Sequence, residues 1–221
     1  MSDAHVRIAG EDLTLLPERA VFWAAQKTLL VADPHFGKAA TFRALGVPVP
    51  RGTTTGTLGR LDAVLARTMP AHLVFLGDFL HAAEGRDSET LRVLNDWRRR
   101  HSGIEMTLVR GNHDARAGDP PRELEIRCTT APNPMPPFVL DHHPRASGSG
   151  YVLCGHIHPS VTLSGSGRQY SRLPCFWFGK TIGVLPAFGE FTGVAEADVL
   201  AGDQVFVIAD DTVVPVPIVE R

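Results

Sequence analysis

Asp, Asn and His fall into five short clusters: Asp33-Pro34-His35, Gly77-Asp78, Gly111-Asn112-His113-Asp114, His142-His143 and Gly155-His156-Ile157-His158. Carboxylate, amide oxygen and imidazole are the ligands that hard to borderline divalent ions take. Two such ions about 3.5–4 Å apart can clamp both the attacking and the leaving oxygen of a phosphate ester. The clusters therefore predict a two-metal phosphoesterase centre. Asp78 is the candidate bridge, because each of its carboxylate oxygens can face one ion. In Asp33-x-His35 an extended chain would set both side chains on one side, toward one ion, and Pro34 is expected to hold Asp33 extended. His156-x-His158 would present two imidazoles in the same way to neighbouring ions. Asn112 offers a neutral oxygen, which keeps the ions electrophilic. His113 is the candidate general acid for the leaving oxygen, with Asp114 holding its ring in one tautomer. Of His142 and His143, one is expected to ligate and the other to point away. His142, directly after an apolar run, is preferred.

Strand ends must supply these positions. Thr28 to Ala32 and Leu73 to Leu76 are continuous apolar runs of strand length, and each stops at a cluster. Thr107 to Val109, Phe138 to Leu140 and Tyr151 to Leu153 do the same. Leu13 to Leu16 and Ala20 to Trp23 read as strands around a Pro17-Glu18 turn. Thr53 to Thr68 has Leu58, Leu61, Val64 and Leu65 at helical spacing, with a threonine at 53, 54 or 55 as cap. Glu89 to His101 is a second helix, with Leu91, Leu94 and Trp97 on one stripe. Proline and glycine make 45–51 a loop, and 115–121 and 131–137 are also expected as loops. No strong helix is expected after about residue 101. Thr181 to Leu185 and Val205 to Ile208 are the clearest late strands. The pattern is an α/β fold: a layered β-sandwich flanked by helices, with ligands at strand C-terminal ends. One domain over residues 1–221 is expected.

The balance of 22 basic and 24 acidic residues excludes a globally basic nucleic-acid surface, though bound cations would add local positive charge. Three widely spaced cysteines, Cys128, Cys154 and Cys175, form no Cys-x-x-Cys pair and read as free thiols of a reducing compartment. Neither a signal-like leader nor an apolar run of about 18 residues is found. A cytoplasmic protein without membrane contact, monomeric or homodimeric, is expected.

The motifs D-x-H, G-D, G-N-H-D, H and G-H-x-H, in this order, resemble those of the calcineurin-like metallophosphoesterase superfamily. The resemblance implies that Asp33, His35, Asp78 and His158 hold one ion, and that Asp78, Asn112, His142 and His156 hold the other. Over nearly the whole chain there is a closer likeness to the bacterial ligase-associated DNA-damage-response endonucleases, the PdeM-like family. It rests on 28–43, 46–53, Phe75-Leu-Gly-Asp-Phe-Leu-His81, 108–114, Arg172-Leu-Pro-Cys-Phe-Trp-Phe178 and Leu185-Pro-Ala-Phe-Gly-Glu-Phe-Thr-Gly193. That likeness implies a manganese-dependent phosphodiesterase that cleaves DNA, especially single strands, by attack of a metal-activated water on phosphorus, in a repair setting shared with a DNA ligase. Iron or zinc would also suit the ligands. Pro34 departs from the leucine the motif leads one to expect. The alternative substrate class is small diesters such as cyclic nucleotides.

Other residues have plainer readings beside the functional ones. His81, three past Asp78, is placed at the rim of the site or on the surface. Arg43 and Arg51 are candidate phosphate clamps or ordinary solvated arginines, and His143 is a candidate substrate contact. Arg110, next to Asn112, is equally a candidate phosphate contact or an ion-pair partner. Arg98, Arg99 and Arg100 suit a helix C-terminus better than a DNA contact. Phe176, Trp177 and Phe178 suit a core better than a base stack. His5, His72 and His101 are expected to be structural or solvated.

Overall fold

The computed structural model describes residues 1–49, 52–165 and 170–218. One sheet contains β1 (Ala4–Ile8), β2 (Glu11–Leu16), β3 (Ala20–Trp23), β4 (Thr28–Ala32), β5 (His72–Leu76), β6 (Glu105–Val109) and β7 (Arg127–Thr129), side by side in chain order. The first four strands are antiparallel, whereas β4 to β7 run parallel. The switch needs crossovers, and these carry α1 (Lys38–Ala44), α2 (Thr53–Thr68), α3 (Ser88–Arg100) and α4 (Asn112–Ala117). The second sheet contains β8 (Asn133–Met135), β9 (Phe138–Leu140), β10 (Tyr151–Cys154), β11 (Pro159–Ser164), β12 (Tyr170–Phe178), β13 (Ile182–Val184), β14 (Ala195–Glu196), β15 (Gln204–Ala209) and β16 (Thr212–Val216). Within it β9, β10 and β13 are mutually parallel neighbours, with β10 in the middle.

The period of two along a strand explains the layers. On β4, Leu30 and Ala32 join a core with Leu153, Phe176, Phe178 and Phe206 between the two sheets. Leu29 and Val31 face the other way, into a second core with Leu58, Leu61 and Leu65 of α2 and Leu94 and Trp97 of α3. Apolar cores on both faces are why β4 and β5 read as unbroken apolar runs. The result is the expected sandwich of two sheets with α2 and α3 packed on the first. No helix among the described residues is long and apolar enough to cross a membrane.

Several local expectations fail. Asp33 and His35 are not extended: their φ values are 50° and 47°. The tertiary hydrogen bonds at the end of β4 override the preference that Pro34 imposes. Helix α2 starts after Gly52 with no side-chain cap, so none of the threonines caps it. Helix α4 occupies the start of the expected loop at 115–121, because Asn112 begins a helical turn directly after β6. Helix α1, seven residues long, shows little periodicity and was not expected. Strand β8 lies inside the proline-rich loop at 131–137 and pairs antiparallel with β9.

Candidate metal centre

Six parallel strands, three from each sheet, end at one place. Asp33, Asp78 and Asn112 follow β4, β5 and β6; His142 and His156 follow β9 and β10. The sheets are stitched together there. Phe188 N donates to Ala32 O at 2.8 Å and Gly189 N to Asp33 O at 3.1 Å, while within the second sheet Gly155 N donates to His142 O at 3.2 Å. Beyond the β4–β5 ladder, His35 N donates to Asp78 O at 3.0 Å and Phe36 N to Phe79 O at 2.8 Å.

Two candidate ligand sets result. In the first, His35 Nε2 lies 3.4 Å from His158 Nε2 and 3.7 Å from Asp78 Oδ2, and His158 Nε2 lies 3.6 Å from Asp33 Oδ2. In the second, His142 Nε2 lies 2.9 Å from Asn112 Oδ1, 3.0 Å from His156 Nδ1 and 3.5 Å from Asp78 Oδ1. Ligands about 2.1 Å from a common ion are separated by distances of this size. The two oxygens of Asp78 face different sets. His142 Nδ1 lies 3.2 Å from Leu76 O, and His158 Nδ1 lies 3.0 Å from Gly193 O. As N–H donors to these carbonyls, both rings keep Nε2 as the free lone pair, the arrangement that orients ligating histidines.

The electrostatics fit divalent ions. Asp33 and Asp78 are 0% and 2% exposed. Asp33 Oδ1 is buried and accepts no hydrogen bond among the described residues; it is 3.4 Å from His142 Nδ1, but that N–H is turned to Leu76. Burial, then the Asp78 charge, raises the Asp33 pKa well above the carboxylate range. Burial lowers the basicity of His142 to about 3 and of His81 to about 4, and that of His35, His156 and His158 as well. Neutral imidazoles are the form that binds metal. Two buried carboxylates amid neutral rings leave negative charge that a cation offsets.

Gly77 and Gly111 make this density possible. A Cβ on Gly77 would sit 2.0 Å from His142 Nδ1, and one on Gly111 would sit 2.3 Å from Asp78 Oδ1.

His113 sits on the first turn of α4. Its N–H bonds to Asp78 Oδ1 at 2.9 Å, its Nδ1 abuts His81 O at 2.5 Å, and its Nε2 is 3.9 Å from Asp78 Oδ2. Asp114 does not hold the His113 ring. Its Oδ1 accepts from Phe79 N at 2.9 Å and its Oδ2 from Gly111 N at 2.8 Å. It ties the end of β5 to the end of β6, and the ring is oriented by the His81 carbonyl. His143 does not point away: its ring packs 4.5 Å from that of His156 and 4.7 Å from that of His142. His81 lies inside the cluster, stacked on His113 at 4.8 Å, with Nδ1 3.3 Å from His35 Nδ1.

Arg43 is elsewhere, lining a small pocket with Ala39, Thr54 and Glu89 that no metal-centre residue borders. Arg51 lies outside the described residues. Arg110 is paired with Asp119 at 2.6 and 2.8 Å. Arg98 is buried and bonded to Leu124 O, while Arg99 and Arg100 pair with Asp96 and Asp62. Phe176 and Phe178 are core residues, and Trp177 donates to Asp203 at 2.7 Å. His5, His72 and His101 bond to Thr14, Thr107 and Asp62. The sequence reading missed Lys38. This half-buried residue makes no ion pair within 4 Å among the described residues, yet its charge acts on Asp78, His35, His81 and His158. A cation three residues after His35, at a helix start set by Gly37, was the available signal.

The nuclease MPE of Pseudomonas putida, a solved structure, is 41% identical with a TM-score of 0.86, covering 97% of this chain and 100% of that one. Yfce, a phosphoesterase from E. coli, is 16% identical with a TM-score of 0.36, over 83% of this chain and 88% of that one. No curated protein matches. The family model for calcineurin-like phosphoesterases matches residues 26–182. That span begins just before β4 and takes in both ligand sets, so the chain is a hydrolase belonging to the calcineurin-like phosphoesterase family.

Proposed function

We propose that this chain is a two-metal phosphodiesterase that cleaves DNA, single strands in preference, with manganese as the working ion and a repair role beside a DNA ligase. The observation that carries the two-metal part is Asp78, whose Oδ2 faces His35 and whose Oδ1 faces His142. The DNA part draws support from the 41% identity to a bacterial nuclease. Asp33, His35, Asp78 and His158 would hold one ion, and Asp78, Asn112, His142 and His156 the other. When bound, the ions supply Lewis acidity toward the phosphoryl group and lower the pKa of water.

The chain's own groups supply the rest. His113, held through Nδ1 by the His81 carbonyl, delivers a proton from Nε2 to the departing oxygen. Lys38 brings an ammonium toward the anionic ester, where a half-buried position strengthens its field. Asp114 fixes the spacing of Asp78 and Asn112 by bonding the backbones of Phe79 and Gly111.

Circular single-stranded DNA incubated with the protein and manganese, beside an Asp78→Ala control and a small chromogenic phosphodiester, tests the proposal. Linearised and fragmented circles, absent in the control, are expected. Intact circles together with turnover of the small diester would move the assignment to small phosphodiesters. Turnover of neither by fully metal-loaded protein would refute both.

A further inference from the structure

Phe191 stands out beside the metal centre. Of the chain's 11 phenylalanines, it alone is exposed, at 53%. Its φ is 66°, a conformation that side chains other than glycine rarely adopt. An exposed aromatic in that conformation contributes little to a core, and the loop around it is fastened to the ligands on both sides. Gly189 N donates to Asp33 O at 3.1 Å, and the Thr192 hydroxyl turns back to Gly189 O at 3.2 Å. Gly193 O meets His158 Nδ1 at 3.0 Å, and Ala195 N donates to His158 O at 3.0 Å. Phe191 therefore rides on the segment that joins Asp33 to His158, two ligands of the same ion set. A row of rings lies beyond them: His158 meets His35, His35 meets His81, and His81 stacks between His113 and the half-buried Phe42.

A phosphodiester held beside His158 has its flanking nucleoside one sugar away. An exposed ring on a loop bonded to Asp33 and His158 is the kind of platform that single strands use, because every base has a stacking face. We propose that Phe191 stacks on a nucleobase flanking the scissile phosphate and gives this centre its preference for unpaired nucleic acid over small diesters. The inference rests on the phosphodiesterase reading given above.

The test separates bases from phosphates. Hydrolysis of a small chromogenic phosphodiester by the manganese-loaded full chain is inhibited with a thymidine oligomer, and then with an abasic strand of equal length. For the unchanged protein the thymidine strand is expected to inhibit about 10-fold more tightly. Phe191→Ala is expected to bring the two inhibition constants within about 2-fold by weakening only the thymidine strand, and Phe191→Trp to restore the gap. A gap that survives Phe191→Ala overturns the inference, as does an equal weakening of both strands, which marks a structural role for the loop. Hydrolysis that neither strand inhibits in the unchanged protein overturns the DNA reading itself, and this inference with it.

Discussion

Replacing Gly111 by alanine adds one methyl group and tests whether the two ligand sets depend on backbone contact. Gly111 has φ −99° and ψ −176°, an extended conformation open to alanine, so the substitution brings no backbone strain. The methyl would meet Asp78 Oδ1 at 2.3 Å, Asp78 N at 2.7 Å and His142 Cγ at 2.9 Å. Ordinary contact requires a retreat of roughly 1 Å, and a misplacement of that size costs about 10²-fold in rate. Asp78 cannot retreat alone, because its carbonyl accepts from His35 N and its Oδ1 from His113 N. The bridge would move together with a ligand and the candidate acid. We expect kcat/KM for a small phosphodiester to fall about 10²-fold, with a stability loss of about 1–3 kcal/mol from overpacking. Gly59→Ala is the matched control. Gly59 is an exposed residue within α2 whose Cβ would meet nothing within 4 Å. There the same methyl should stabilise the helix by about 0.5–1 kcal/mol and leave turnover alone. Steady-state kinetics and urea titration of the two variants decide the matter. Gly111→Ala turning over within about threefold of the parent, against the 10²-fold expected, would refute the close-approach argument.

Metal content per chain, measured by mass spectrometry after manganese loading and desalting, should separate the ligands. Asp78→Ala is expected to weaken retention of both ions, His142→Ala of one, and His143→Ala of neither; full retention by Asp78→Ala would remove it as the bridge. Arg98→Ala should lower stability by about 2–3 kcal/mol, since it strips a charged partner from two carbonyls, those of Leu124 and His101. Arg99→Ala and Arg100→Ala, exposed ion-pair members, should each change stability by less than about 1 kcal/mol. Urea midpoints check this, and an unchanged Arg98→Ala midpoint would contradict the buried role.

The parts of this fold written as repeating patterns were legible. Thr28 to Ala32 is a strand with those bounds because four consecutive residues, Leu29 to Ala32, alternate between two cores, and Thr53 to Thr68 is a helix with those bounds because its apolar stripe has helical period. The convergence of the candidate ligands was legible because their types are uncommon together and each follows an apolar run. What failed was local geometry that long-range bonds determine. Nothing near Asp114 in sequence says that its oxygens are taken by Gly111 N and Phe79 N. Helix α1 is too short to show a period, and Lys38 went unremarked within it. One of His142 and His143 was expected to point away, but both follow the end of β9 at Leu140, and both rings pack into the cluster.

The failed expectation at Asp33-Pro34-His35 shows how the centre is built. Asp33, His35, Asp78, His156 and His158 have φ values of 50°, 47°, 49°, 73° and 54°. Each left-handed residue costs about 1–2 kcal/mol in an L-amino-acid chain, and such strain persists only where surrounding structure over-determines it. Here the surroundings are the bonds across the strand ends: His35 N to Asp78 O, Gly189 N to Asp33 O, Ala195 N to His158 O, and His156 N to Asp33 Oδ2 at 2.8 Å. An extended D-x-H would carry both side chains onward along the strand direction. A left-handed turn immediately after the strand instead folds them back over the strand ends, where two triads of parallel strands from different sheets converge. The strain is thus the means by which two sheets share one centre, and a cation held by Asp33 and Asp78 would relieve the carboxylate repulsion that the same folding creates. Ligand convergence, backbone strain and the demand for metal are one consequence of ending six parallel strands at a single point.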